Sequence, residues 1–261
     1  MKIYTPIICA MAIALFCNTI LAQEYAAYQQ DYFIKKGDSL PYRILLPKDY
    51  DASKSYPLLI FLHGSGERGN DNKAQLMHGA SLFLENQNRD AYQSIVVFPQ
   101  CRANSSWARI GVEGEFPNRE FVFYKKSEPT KDMLLLEGLI KHLKKDYRLK
   151  RDQLYVGGLS MGGMGTFELV RRNPRMFAAA FPICGGANPE ISKRLKKLDW
   201  WVFHGSDDKS VPEKYSAQMV EAMKQKGINV KYSVYPGVGH NSWDNAFAEP
   251  ELLSWLFSKS R

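Results

Sequence analysis

The segment Leu154-Tyr155-Val156-Gly157-Gly158-Leu159-Ser160-Met161-Gly162-Gly163 leaves the backbone little choice. A β-branched and aromatic run ends in Gly158-Leu159-Ser160-Met161-Gly162, a G-x-S-x-G pentapeptide, and a helical stretch from Gly165 to Arg172 follows at once. The succession reads as strand, sharp turn and helix, with a serine at the tip. A turn that tight strains the serine backbone and lifts its hydroxyl clear of the sheet. The flanking positions must be glycine, because a side chain there collides with the neighbouring strand or helix.

A serine hydroxyl is a weak nucleophile without a base to take its proton and an acid to orient that base. The five histidines are His63, His78, His142, His204 and His240. His142 lies on an amphipathic helix and His78 in a polar stretch. His63 and His204 each end an apolar strand and precede glycine, which suits the shaping of strand-end loops. His240 differs, because it follows the strand Val230–Tyr235 on the loop Pro236-Gly237-Val238-Gly239 and can reach a site at the strand ends. Between serine and histidine, the strand Trp200-Trp201-Val202-Phe203 runs into His204-Gly205-Ser206-Asp207-Asp208-Lys209-Ser210-Val211-Pro212. One of the two aspartates can cap the turn while the other holds His240 in the right tautomer.

These motifs resemble the α/β-hydrolase superfamily over nearly the whole chain after residue 22. The resemblance implies a mainly parallel central sheet of about eight strands, with helices on both faces. It assigns the triad as Ser160, Asp208 and His240, because H-G-x-x-D-x-x-V-P carries the acid at its fifth position; Asp207 is the reserve. It also assigns Leu58 to Glu67 to the strand and loop of the oxyanion hole, with the backbone N–H groups of Ser65 and Met161 as donors. Such donors need no particular side chain. The runs Gly239-His240-Asn241-Ser242-Trp243-Asp244 and Pro99-Gln100-Cys101 resemble the secreted carboxylesterase, dienelactone hydrolase-like and "predicted peptidase" group, near feruloyl and acetyl-xylan esterases. In the superfamily's strand order two strands separate those ending at Cys101 and Cys184. At about 4.8 Å per strand the cysteines lie beyond disulfide reach, so both are expected as free thiols.

The N-terminus is organised differently. Lys2, the apolar run Ile7 to Phe16 and a small residue, Ala22, before Gln23 describe a secretory signal peptide over residues 1–22, with the catalytic domain over 23–261. The expected location is therefore secreted or periplasmic, with no membrane span in the processed chain. A formal charge of +8 comes without an arginine-rich, aromatic-interleaved block, which argues against nucleic acid and leaves an acidic polysaccharide open as a partner. No dinucleotide fingerprint, phosphate loop or metal-spaced histidine pair occurs, so neither cofactor nor metal is expected. The sequence is silent on oligomeric state.

Strand patterns at Tyr32–Lys35, Tyr42–Leu46, Leu58–Leu62 and Ile95–Phe98 give way to strands alternating with helices. Helices are expected over Pro129–Tyr147, Pro212–Lys226 and about Asp244–Lys259. The connection of about Gly185 to Asp199 is too short for a large cap domain. Residues 101–128 form a long connection rich in aromatics, which suits either a substrate-binding loop or a small satellite core. His63, Trp107 and Trp243 are the candidate substrate contacts. The expected activity is a serine carboxylesterase acting on short-chain or aromatic esters, small or polysaccharide-linked. The alternatives are a serine peptidase of the prolyl oligopeptidase-like group and a non-catalytic carbohydrate-binding homologue.

Overall fold

In the computed structural model, which describes residues 25–115, 118 and 120–261, turn residues divide the chain into short strands. They are β1 (Gln29–Lys35), β2 (Asp38–Leu45), β3 (Tyr56–Leu62), β4 (Ile95–Pro99), β5 (Ile110–Glu113), β6 (Glu120–Phe123), β7 (Leu149–Leu159), β8 (Ala179–Ile183), β9 (Asp199–Gly205) and β10 (Val230–Tyr235). Eight of them form one sheet in the order β1-β2-β4-β3-β7-β8-β9-β10. β1 and β2 pair antiparallel, β2 pairs antiparallel with β4, and every further pairing is parallel. The expected signal segment lies outside the described residues. No helix among those described is long and apolar enough to cross a membrane.

The central strands are apolar throughout because both faces of the sheet are covered. Every residue of β3 is buried, and its side chains alternate between two cores. Leu58, Ile60 and Leu62 meet the helices α2 (Lys131–Asp146), α3 (Met161–Arg172) and α4 (Lys214–Lys224) on one face. Leu59 and Phe61 share the other face with Phe98, Phe181, Trp201 and the C-terminal Leu252, Leu253 and Leu256. The first helix, α1 (Asn86–Ala91), precedes β4. Thr130 caps α2, its hydroxyl accepting from the Met133 N–H at 3.1 Å. Gly227, at φ +67°, ends the chain's return from α4.

Two expectations change. The C-terminal helix is two short ones, α5 (Trp243–Phe247) and α6 (Leu252–Phe257). Pro250 has no N–H for a continuing helix and disfavours helical backbone at Glu249. Within residues 101–128, β5 and β6 form an antiparallel hairpin separate from the main sheet. Phe121 and Phe123 pack on Tyr215 at centroid distances of 5.7 and 5.3 Å, so these aromatics build a satellite core. The β8–β9 connection holds a single 3-10 helix, Pro189–Arg194, and no cap.

Candidate active site

Ser160 sits between β7 and α3 with φ 53° and ψ −117°, a conformation that costs a side-chain-bearing residue about 1–3 kcal/mol. The cost is met by what surrounds it. Its N–H donates to Ile183 O at 2.9 Å, and its carbonyl accepts from Met164 N–H at 3.0 Å as α3 begins. The glycines on either side are required by contact. A Cβ on Gly162 would lie 1.9 Å from Leu62 O, and one on Gly158 would lie 2.5 Å from Gly162 O.

His240 comes from the loop after β10 and reaches this serine. Ser160 Oγ donates to His240 Nε2 at 2.9 Å, and His240 Nδ1 donates to Asp208 Oδ2 at 2.7 Å. A carboxylate only accepts, so Nδ1 carries the proton and Nε2 is left free to take one from serine. Asp208 stands just beyond β9, and its other oxygen accepts from the N–H groups of Ser210 and Val211 at 2.8 and 2.9 Å. Burial alone would raise its pKa. Hydrogen bonds from His204, His240 and Val211 outweigh that and hold the carboxyl well below the usual carboxylate range. Asp207 is exposed and, among the described residues, accepts at its carboxylate only from the Ser206 hydroxyl, so Asp208 is the aspartate that meets the imidazole.

Ser65 opens a 3-10 helix, Ser65–Glu67, and Met161 opens α3. First-turn N–H groups have no acceptor within their own helix, which leaves both available to a developing oxyanion. The loop runs beside Ser160, because a Cβ on Gly64 would lie 3.6 Å from Ser160 Cβ.

This geometry has its counterpart in sequence comparison, where residues 50–250 match the phospholipase/carboxylesterase model. The chain belongs to the phospholipase/carboxylesterase family of α/β-hydrolases. It is 29% identical over 203 residues to an endo-1,4-beta-xylanase/feruloyl esterase of Xylanibacter ruminicola, covering 77% of this chain and 25% of that protein. It is 25% identical over 179 residues to a bifunctional acetylxylan esterase/xylanase of Neocallimastix patriciarum, covering 68% of this chain and 23% of that one. It thus spans about a quarter of the length of these relatives. The crystal structure of a thermostable esterase superposes with a TM-score of 0.82 at 35% identity, covering 92% of this chain and 64% of the other.

Two expected substrate contacts of this carboxylesterase-family chain are corrected. Trp107 is 0% exposed. Its indole N–H donates to His63 O at 3.1 Å, and a Cβ on Gly165 would meet its own Cβ at 2.4 Å. It is a wedge between β3 and α3, out of reach of any substrate. His63 is equally buried: Nδ1 donates to Gly64 O at 2.6 Å, and Nε2 accepts from Cys101 N–H at 2.9 Å. Burial pushes its pKa down to about 4, so it is a neutral latch between the ends of β3 and β4. Trp243 does border His240, edge-on at a centroid distance of 5.5 Å, and lies 4.9 Å from His78.

His204, which the sequence suits to shaping a strand end, touches Asp208. It is fully buried, with Nε2 2.8 Å from Val211 O and 3.3 Å from Asp208 Oδ2, and Nδ1 2.7 Å from Ser216 Oγ. Its four-residue spacing from Asp208 was the available signal. Cys101 and Cys184 are free thiols, and β3 and β7 separate the strands that lead to them. The Cys184, Asp208 and His240 ligand atoms lie within 4.8 Å of one another. Asp208 and His240 hydrogen-bond each other, and burial raises the Cys184 thiol pKa.

Proposed function

We propose that this chain is a carboxylic ester hydrolase working through an acyl-enzyme on Ser160. Its substrates are short-chain acyl or hydroxycinnamoyl esters, small or carried by plant polysaccharide, and it acts as a secreted or periplasmic protein after loss of residues 1–22. The observation that carries the chemistry is the continuous relay from Ser160 Oγ through His240 to Asp208, at 2.9 and 2.7 Å. Ser160 Oγ attacks the ester carbonyl as His240 Nε2 takes its proton. The Ser65 and Met161 N–H groups hold the tetrahedral oxyanion, and His240 returns the proton to the departing alkoxide. Water then repeats the sequence against the acyl-serine and frees the acid.

Support for the substrate class comes from the feruloyl and acetylxylan esterase names of the relatives, and from the capless β8–β9 connection. A long acyl chain needs a covered apolar tunnel, whereas a short acyl or planar group does not. The test is a panel of methyl ferulate, acetylated xylan, p-nitrophenyl acetate, p-nitrophenyl palmitate and casein, alongside fluorophosphonate labelling. The short and aromatic esters are expected to turn over much faster than palmitate or casein. Labelling is expected at Ser160 alone, and Ser160→Ala is expected to lower kcat by several orders of magnitude with the fold intact. Near-normal turnover by the folded variant would sink the proposal.

A further inference from the structure

An open groove of about 720 Å³ lies against the Ser65 loop and runs beneath residues 102–110 to the start of α2. That volume falls in the range typical of ligand sites. Four of its lining side chains are cations, Arg68, Arg102, Arg109 and Lys131, and no carboxylate lines it. Arg102 is neutralised by Asp132 and Asp38. Arg68, Arg109 and Lys131 have no ion-pair partner among the described residues. Arg68 ties the groove to the candidate active site, donating from Nε to Ser65 O at 2.9 Å and from a terminal nitrogen to Ser105 O at 3.3 Å. Arg109 is held by its Nε on Glu128 O at 3.2 Å, and its terminal N–H groups have no hydrogen-bond partner among the described residues. A neighbouring depression shares Arg109 and is lined by Tyr124, 46% exposed.

We propose that this groove is a subsite for a uronate-bearing polysaccharide, binding carboxylated sugars next to the ester that is cleaved. The inference rests on the ester-hydrolase reading. A polymer that enters the groove from the Ser65 loop must carry a carboxylic ester and must also complement three unpaired cations. Polyuronates and glucuronate-substituted xylans carry both features; nucleic acid carries only the charge. Guanidinium groups match a carboxylate with two parallel hydrogen bonds. The Ser105 and Ser106 segment offers polar partners for sugar hydroxyls, and Tyr124 offers a flat face on which a sugar ring can lie.

The experiment compares acetylated glucuronoxylan with the same polymer after carboxyl reduction, which removes the charge and keeps the backbone. The wild-type chain is expected to show a KM about tenfold lower for the acidic polymer, equivalent to about 1.4 kcal/mol. That advantage is expected to vanish in 0.5 M NaCl, where screening shortens the reach of exposed charges. The double variant Arg109→Glu, Lys131→Glu is expected to lose the advantage while turning over p-nitrophenyl acetate as before. Equal KM values for the two polymers in the wild type, or a double variant that keeps the difference, would overturn the proposal. Ser160→Ala, assayed for binding alone, reads the groove without turnover. It should bind the acidic polymer more tightly than the reduced one, and tighter binding of a single-stranded oligonucleotide would also overturn the proposal. Failure of the wild type on p-nitrophenyl acetate would instead strike the ester-hydrolase reading.

Discussion

The ends of β7, β9 and β10 and the hairpin β5–β6 stand on the same side of the molecule but are held in different ways. Ser160 and Asp208 are locked by buried backbone hydrogen bonds and by contacts so close that glycine is obligatory, as at Gly162. The hairpin has no place in the main sheet and rests on Phe121, Phe123 and Tyr215. Tyr215 adds two hydrogen bonds, accepting from Phe121 N–H at 2.8 Å and donating to Glu120 at 2.6 Å. Groups that must hold sub-ångström geometry are built from the sheet and its first turns. The hairpin, held by a small satellite core, is expected to open at lower free energy than the sheet.

The sharpest way to break this contrast is at the two aspartates. Asp208→Asn is expected to lower kcat by roughly 10⁴ through loss of the correct imidazole tautomer, whereas Asp207→Asn is expected to change it less than about threefold, as surface changes do. Steady-state kinetics on p-nitrophenyl acetate checks both, and a reversed ranking would move the acid to Asp207. The same carboxyl sets a pH signature. Its folded pKa lies below the unfolded value of about 3.9, so the stability it contributes is present above that pH and is lost as pH falls towards the folded value. Thermal melts should show the wild type declining more steeply below about pH 4 than Asp208→Asn. Parallel curves would remove the hydrogen-bonded carboxylate from the account.

A smaller effect is expected at the joint between the regions. Trp107→Ala empties the space between β3 and α3 and should destabilise the chain by about 3–5 kcal/mol, read by denaturant unfolding. The residual activity should fall alike on ferulate and acetate esters, and a loss confined to ferulate would return Trp107 to the substrate. Smallest is Tyr215→Phe, which removes both hydroxyl contacts of the hairpin at about 1 kcal/mol. Amide exchange should quicken at residues 110–113 and 120–123 with little change in p-nitrophenyl acetate turnover. Faster exchange in β7 or β8 instead would mean that the two regions open as one.

What could be read along the chain was whatever is decided by local backbone chemistry. Gly158 to Gly162 specifies its own turn, and the turn puts Ser160 at its tip. The apolar runs of β3 and β7 announce strands covered on both faces, hence an α/β sheet. His240 stood apart because a glycine-rich loop let it move. Packing between distant segments was not legible. Trp107 and His63 look like site residues in sequence, and only the approach of Cys101 and Gly165 to them shows that they are enclosed. Asp207 and Asp208 are neighbours of one type; the resemblance points to Asp208, and the fold of their turn is what brings that carboxylate to His240. His204 lies four residues before Asp208, yet only the packing of Val211 and Ser216 around it turns that spacing into contact with the acid. Local sterics and periodicity act over a few residues and are written in order along the chain, whereas burial and side-chain partnership depend on segments that meet only once the sheet has assembled.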